Sequence, residues 1–178
     1  VQIYDYDENE NVVKVRYSEG SSADKDRVVY DERDMVFKQI VGAGSGEESV
    51  TKYNYSENGN LKKLINPNTA NTLTYLYDGF DRPEKIENAI DTKVVLKYDA
   101  NSNVVEQSVH GEATPGGSTV LLSKVQNSYD QRNRPFMKEF FRRDLSTNTS
   151  MGSVIEQVGY KKNNLVFKTI NGNNNASE

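Results

Sequence analysis

The stretch Val94-Val95-Leu96-Lys97-Tyr98-Asp99-Ala100-Asn101-Ser102-Asn103-Val104-Val105 decides the reading of this chain. A β-branched run ends in Tyr-Asp, four polar or small residues follow, and a second apolar run begins. β-branched and aromatic residues favour half-buried strands, while Asp, Asn and Ser close local turns and tolerate positive φ. The segment therefore reads as a β-hairpin. An Asp just after the Tyr can accept hydrogen bonds from turn amides two residues on.

The same pattern recurs from end to end. Tyr6-Asp7 leads into Val12-Val13, Tyr30-Asp31 into Met35-Val36-Phe37, and Tyr77-Asp78 and Tyr129-Asp130 into turns ending Arg82-Pro83 and Arg134-Pro135. In Tyr55-Ser56-Glu57-Asn58-Gly59-Asn60-Leu61, Ser replaces Asp. Tyr160-Lys161-Lys162-Asn163-Asn164-Leu165 lacks the Asp and reads as one residue shorter in the turn. The Tyr positions step by 24, 25, 22, 21, 31 and 31 residues, which suits one supersecondary unit per copy. No segment carries a sustained 3.6-residue apolar stripe. The fold expected is all-β: an antiparallel meander of about seven repeated hairpins, some fourteen strands, forming a coiled or curved sheet strip over residues 1–170. Residues 171–178 are expected to be a disordered tail or the cut end of a further unit. The Gly-, Ser-, Thr- and Asn-rich stretches 19–26, 42–48, 66–71, 111–118 and 144–153 are expected as loops at the far end from the Tyr-Asp turns.

Composition narrows the function. Apolar residues and Gly together make about 35% of the 178 residues, below the ~45–50% of globular domains, so a deep two-sided core is not expected. Net charge is −4 with scattered Lys and Arg, which argues against a nucleic-acid partner. No window approaches the ~18–20 apolar residues of a membrane span. With no Cys, disulfides and thiolate chemistry are absent. The chain starts at Val1 with a strand pattern already running and no signal peptide, as expected of an internal segment of a larger protein.

At these residues the chain resembles the YD-repeat, or RHS-repeat, family, whose loose pattern is Tyr-Asp, a short turn, then Gly-Arg-Leu or Gly-Asn-Leu. The resemblance covers residues 1 to 170. It is carried by Tyr6, Asp7, Tyr30, Asp31, Tyr55, Gly59, Tyr77, Asp78, Tyr98, Asp99, Tyr129, Asp130 and Tyr160, read as structural repeat residues. Members include cocoon subunits of toxin complexes, polymorphic toxins, wall-associated proteins and teneurin-like receptors. The resemblance implies a non-enzymatic wall segment of a shell that encloses or presents a toxin or effector polypeptide, secreted or at the cell surface. Its partners would be neighbouring repeats of the parent shell and an enclosed polypeptide cargo, with homo-association through open strand edges. The alternative is a secreted adhesion array binding a glycan or protein, with the Tyr4/Tyr6, Tyr53/Tyr55 and Tyr75/Tyr77 rows offered for ring stacking.

Sharper chemistry finds little support. Asp7 to Asn11 and Asp99 to Asn103 carry the D-x-N-x-N opening of calcium loops, but the following Gly and the distal Glu are missing. Turn chemistry explains them, so no metal is expected. His110 is the only His, and no nucleophile motif accompanies it. Gly42-Ala43-Gly44-Ser45-Gly46 lacks the Lys-Ser/Thr ending of a phosphate loop. No catalytic residue and no cofactor is expected.

Overall fold

The computed structural model describes residues 1–17, 25–68, 71–147, 149–170 and 176–177. Most of the tail expected over 171–178 lies outside the described residues. The strands are β1 (Ile3–Tyr6), β2 (Val12–Arg16), β3 (Lys25–Tyr30), β4 (Val36–Val41), β5 (Ser49–Tyr55), β6 (Leu61–Ile65) and β7 (Leu73–Tyr77). They continue as β8 (Pro83–Asn88), β9 (Lys93–Tyr98), β10 (Val104–Glu112), β11 (Thr119–Tyr129), β12 (Pro135–Asp144), β13 (Thr149–Tyr160), β14 (Val166–Ile170) and the two-residue β15 (Ala176–Ser177). Neighbours in sequence are neighbours in the sheet, in the order β1 to β15. The all-β antiparallel meander is therefore the fold.

Two compact units divide the chain. The first comprises Val1–Tyr75 with Asn88–Ile90, the second Leu76–Glu87 with Asp91–Glu178. Strands of the first run four to seven residues, whereas β10 to β13 of the second run 9, 11, 10 and 12. The two 31-residue steps thus come from longer strands and not from longer loops. Several expected loop residues, among them Gly111, Glu112 and Thr149 to Ser153, are strand. Their amides extend a ladder already in register, and that outweighs the turn preference of Gly, Ser and Thr.

Burial is shallow, as the apolar fraction implies. Among the described residues only Ile40 and Ala43 are buried hydrophobics, and Ser108 is the buried polar residue. Ala43 sits in the 42–46 turn, where its amide donates to the Lys25 carbonyl at 2.7 Å and the Gly42 amide donates to Asp26 Oδ1 at 3.1 Å. That Gly-rich turn closes the β4–β5 connection and packs on its own unit. With so little apolar burial, backbone ladders and turn hydrogen bonds must set the register.

Candidate functional site

Seven hairpin turns share one geometry. In each, the residue after the Tyr donates its amide to the carbonyl four residues on, from Asp7 to Asn11 at 3.0 Å through to Lys161 and Leu165 at 2.8 Å. The amide three residues past that position returns to its carbonyl, as Ser102 does to Asp99 at 3.1 Å. The returning residue lies in the left-handed region: Glu10 at φ 65°, Asp34 57°, Gly59 83°, Asp81 58°, Ser102 67°, Asn133 58° and Asn164 68°. This is a tight turn followed by a one-residue bulge, and the register slips at the Tyr wherever the pairing is defined. Asp, Asn and Gly occupy five of the seven left-handed positions, as their tolerance of positive φ predicts.

The seventh turn corrects one sequence expectation. Tyr160 pairs with Val166, six residues on, just as Tyr98 pairs with Val104, so its turn is not shorter. Backbone hydrogen bonds and Asn164 set the turn length without a carboxylate.

Each Asp closes its turn with one oxygen. Asp99 Oδ1 accepts the amides of Asn101 and Asn103, both at 2.9 Å, and Asp130 Oδ1 accepts those of Arg132 and Arg134. Except at Asp31, whose second oxygen takes Arg33, the second oxygen takes the side chain at the sixth motif position: Asn103 Nδ2 on Asp99 at 2.9 Å, Arg82 Nε on Asp78 and Arg134 Nε on Asp130, both at 2.7 Å. The Arg134 guanidinium, helped by the turn amides and opposed by burial, holds Asp130 at about 2. Asp78 and Asp99 are lowered in the same way, first by Arg82 and by Asn103. At Asp7 and Asp31 burial works upward, and the amides of Asn11 and Met35 lead the groups that outweigh it. The D-x-N-x-N spacing is therefore an internally satisfied turn. Among the described residues no group of three or more His, Asp or Glu is placed to hold a metal ion.

The Tyr couples one copy to the copy before it. Tyr30 Oη donates to the Val12 carbonyl at 3.1 Å, Tyr55 to Val36 at 2.9 Å, Tyr98 to Pro83 at 2.8 Å, Tyr129 to Val104 at 3.1 Å and Tyr160 to Pro135 at 2.7 Å. Every acceptor is the seventh motif position of the preceding copy. Ring faces are also used: the guanidinium of Arg82 lies 4.4 Å over Tyr98, and that of Arg134 lies 4.4 Å over Tyr160.

A second link was not foreseen. The sixth-position side chain also reaches the left-handed residue of the next copy: Asn11 Nδ2 to Asp34 at 2.9 Å, Arg82 to Ser102 Oγ at 3.0 Å, Asn103 to Asn133 at 3.0 Å and Arg134 to Asn164 at 2.9 Å. Where the sixth position is Met35, the next left-handed residue is Gly59, whose added Cβ would lie 3.7 Å from Met35 Sδ. Donor with acceptor, or Met with Gly: that pairing of positions six and five along the copies was the sequence signal.

Ser56 offers a test. Its hydroxyl accepts the Asn60 amide at 3.0 Å, in place of a carboxylate that closes two amides and a side chain. Restoring the repeat residue with Ser56→Asp should stabilise the chain by about 0.5–1 kcal/mol, read as a higher urea midpoint at unchanged slope.

The other candidates fall away. His110 Nε2 lies 3.1 Å from Ser108 Oγ on the same strand, but Ser108 is only 6% exposed and offers no nucleophile to an outside substrate. An open cleft of about 580 Å³ beside Asp7, Lys14, Arg27 and Asp31 has its turn carboxylates already bonded to turn amides. Register, unseen in the sequence, also builds a cross-strand ion group in the second unit. Glu106 is met by Lys97 at 2.7 Å, Lys124 at 3.0 Å and Gln126 at 2.8 Å, in that order of influence, and is pulled to about 2.

No family model matches the chain, and no curated protein matches it in sequence. Among solved structures, a chain of the Photorhabdus luminescens Tc holotoxin pore superposes on 94% of this chain with a TM-score of 0.71 and 14% identity. This chain spans 9% of that one. The crystal structures of TcdB2-TccC3 and TcdB2-TccC3-Cdc42 align over 98% of this chain at 10% and 9% identity, with TM-scores of 0.33, and it covers 14% and 13% of theirs. At this level of identity the likeness to the holotoxin chain shows a shared fold. The fold implied by the YD-repeat resemblance is the fold this chain shares with the holotoxin chain.

Proposed function

We propose that residues 1–170 act as a single array, a non-enzymatic wall segment of a YD-repeat shell that encloses or presents another polypeptide outside the producing cell. The observation that carries this is the Tyr link: five hairpins are stapled to their predecessors by a side chain that every further copy could supply. Stability in such an array is close to a sum of neighbour terms, so length is unrestricted. A single-layer sheet also explains why only two hydrophobic residues are buried among those described. Tyr6, Tyr30, Tyr55, Tyr77, Tyr98, Tyr129 and Tyr160, the turn Asp residues and Gly59 are on this reading wall-building residues. Of the rows offered for ring stacking, Tyr55 spends its hydroxyl on the Val36 carbonyl, whereas Tyr4 and Tyr6 stay exposed.

The test is protease protection in the parent protein. A segment outside the repeats should survive a protease dose that digests it once the repeats are unfolded. Equal digestion before and after unfolding would rule out enclosure. The same logic predicts association at an open edge. Tyr6 is 59% exposed and donates to no carbonyl among the described residues, so it is free to staple a second hairpin. Sedimentation should show concentration-dependent self-association, weakened about fivefold in Tyr6→Phe, the value of one hydrogen bond. A monomer at high concentration would remove the pairing idea.

A further inference from the structure

Register sorts the charges of the first unit onto one sheet face. Directly opposed residues share a face, and alternate residues along a strand share it too. Lys14 opposes Arg27, which opposes Ile40; Arg16 opposes Lys25; Lys38 opposes Lys52; Lys63 opposes Thr74. These rows lie on one face, seven cations with a single strand carboxylate, Asp5. Asp5 is taken by Lys14 at 2.9 Å and by Arg16 at 2.8 Å. No carboxylate of the described residues pairs with Arg27, Lys38, Lys52 or Lys63, and Arg16 Nε has no hydrogen-bond partner. The opposite face carries Tyr4, Val15, Val28, Gln39, Tyr53 and Leu64.

We propose that this basic face docks an extended acidic polypeptide segment. Lys38 directly opposite Lys52 is unfavourable in the chain by itself. A row of carboxylates from a partner would turn that repulsion into attraction. Strand spacing fits such a partner: alternate residues of an extended peptide recur every ~6.8 Å, as do Lys14/Arg16 and Lys25/Arg27 along their strands. Between its cations the face holds Ile40, Val50 and Ile65, aliphatic side chains that give bases no stacking platform, so the observations favour an acidic peptide. In the second unit the strand cations Lys97 and Lys124 are already taken by Glu106. The inference stands on this face and not on the wall reading.

Fluorescein-labelled poly-L-glutamate should bind the full chain at low ionic strength, and weaken as salt is raised. The triple variant Arg27→Gln, Lys38→Gln, Lys52→Gln should weaken binding about tenfold or more. A control with Lys138→Gln, Lys161→Gln and Lys162→Gln, removing equal charge elsewhere, should change it less than about twofold. The triple variant should melt no lower than the parent, because a like-charge pair is gone. Equal loss in both variants would reduce the effect to net charge and overturn the proposal. So would an oligothymidylate binding more tightly than poly-L-glutamate, or no binding at low salt. Any of these leaves protease protection by the parent wall unaffected, so the two readings fail separately.

Discussion

Tyr98→Ala is expected to cost about 2–3 kcal/mol, and Tyr98→Phe about 1 kcal/mol. The Phe variant keeps the ring under Arg82 but leaves the Pro83 carbonyl without its 2.8 Å donor. The Ala variant also uncovers the Arg82 guanidinium, which then keeps only Asp78, its contacts in the next turn and the Phe80 ring at 5.1 Å. In a repeat array such a loss falls on the neighbours, so hydrogen exchange should quicken around residues 78–83 and 98–104 before it does near Tyr30. Urea midpoints give the magnitude and exchange gives the location. If Phe proves as damaging as Ala, the hydroxyl alone carries the link. If neither variant moves the midpoint, Tyr98 does not couple its copies.

That ranking depends on information the sequence holds unevenly. Hairpin and turn were legible because the Tyr-Asp turn is local: β-branched runs, a turn Asp and a residue suited to positive φ all fall within eight residues. The bond from Tyr98 to the Pro83 carbonyl was not, because it spans fifteen residues and ends on a backbone atom. The partnership of positions six and five was present as a pattern, Met35 with Gly59 and Asn103 with Asn133, but has meaning only once successive turns are known to touch. Face assignment was out of the sequence's reach for another reason. Each Tyr-Asp turn adds a bulge, and one bulge reverses the alternation, so counting from Lys38 cannot place Arg27. Only the strand register puts Lys14, Arg27, Lys38 and Lys52 on a common face. Glu106, one acid among 26 in sequence, became singular for the same reason.

Acid should dismantle the turns before it disturbs the ladders. Asp130 and Glu106 titrate in the folded chain at about 2, and Asp7, Asp31, Asp78 and Asp99 are shifted the same way. A carboxyl whose folded value lies below its unfolded value of ~4 binds protons more readily in the unfolded chain. Its contribution is fully present above about pH 5 and is lost as pH falls through 4 towards 2. Six such groups acting together should make the melting temperature drop steeply over that window and stay flat from pH 5 to 7. The third turn supplies the internal control, because Ser56 has no proton to gain there. Amide resonances of residues 9, 11, 101, 103, 132 and 134 should titrate with low midpoints, while that of Asn60 follows only the global transition. A Ser56→Asp variant should bring Asn60 into line with the others. If Asn60 of the unaltered chain titrated alongside them, the carboxylates would not be what closes these turns, and backbone hydrogen bonding alone would have to account for the repeat.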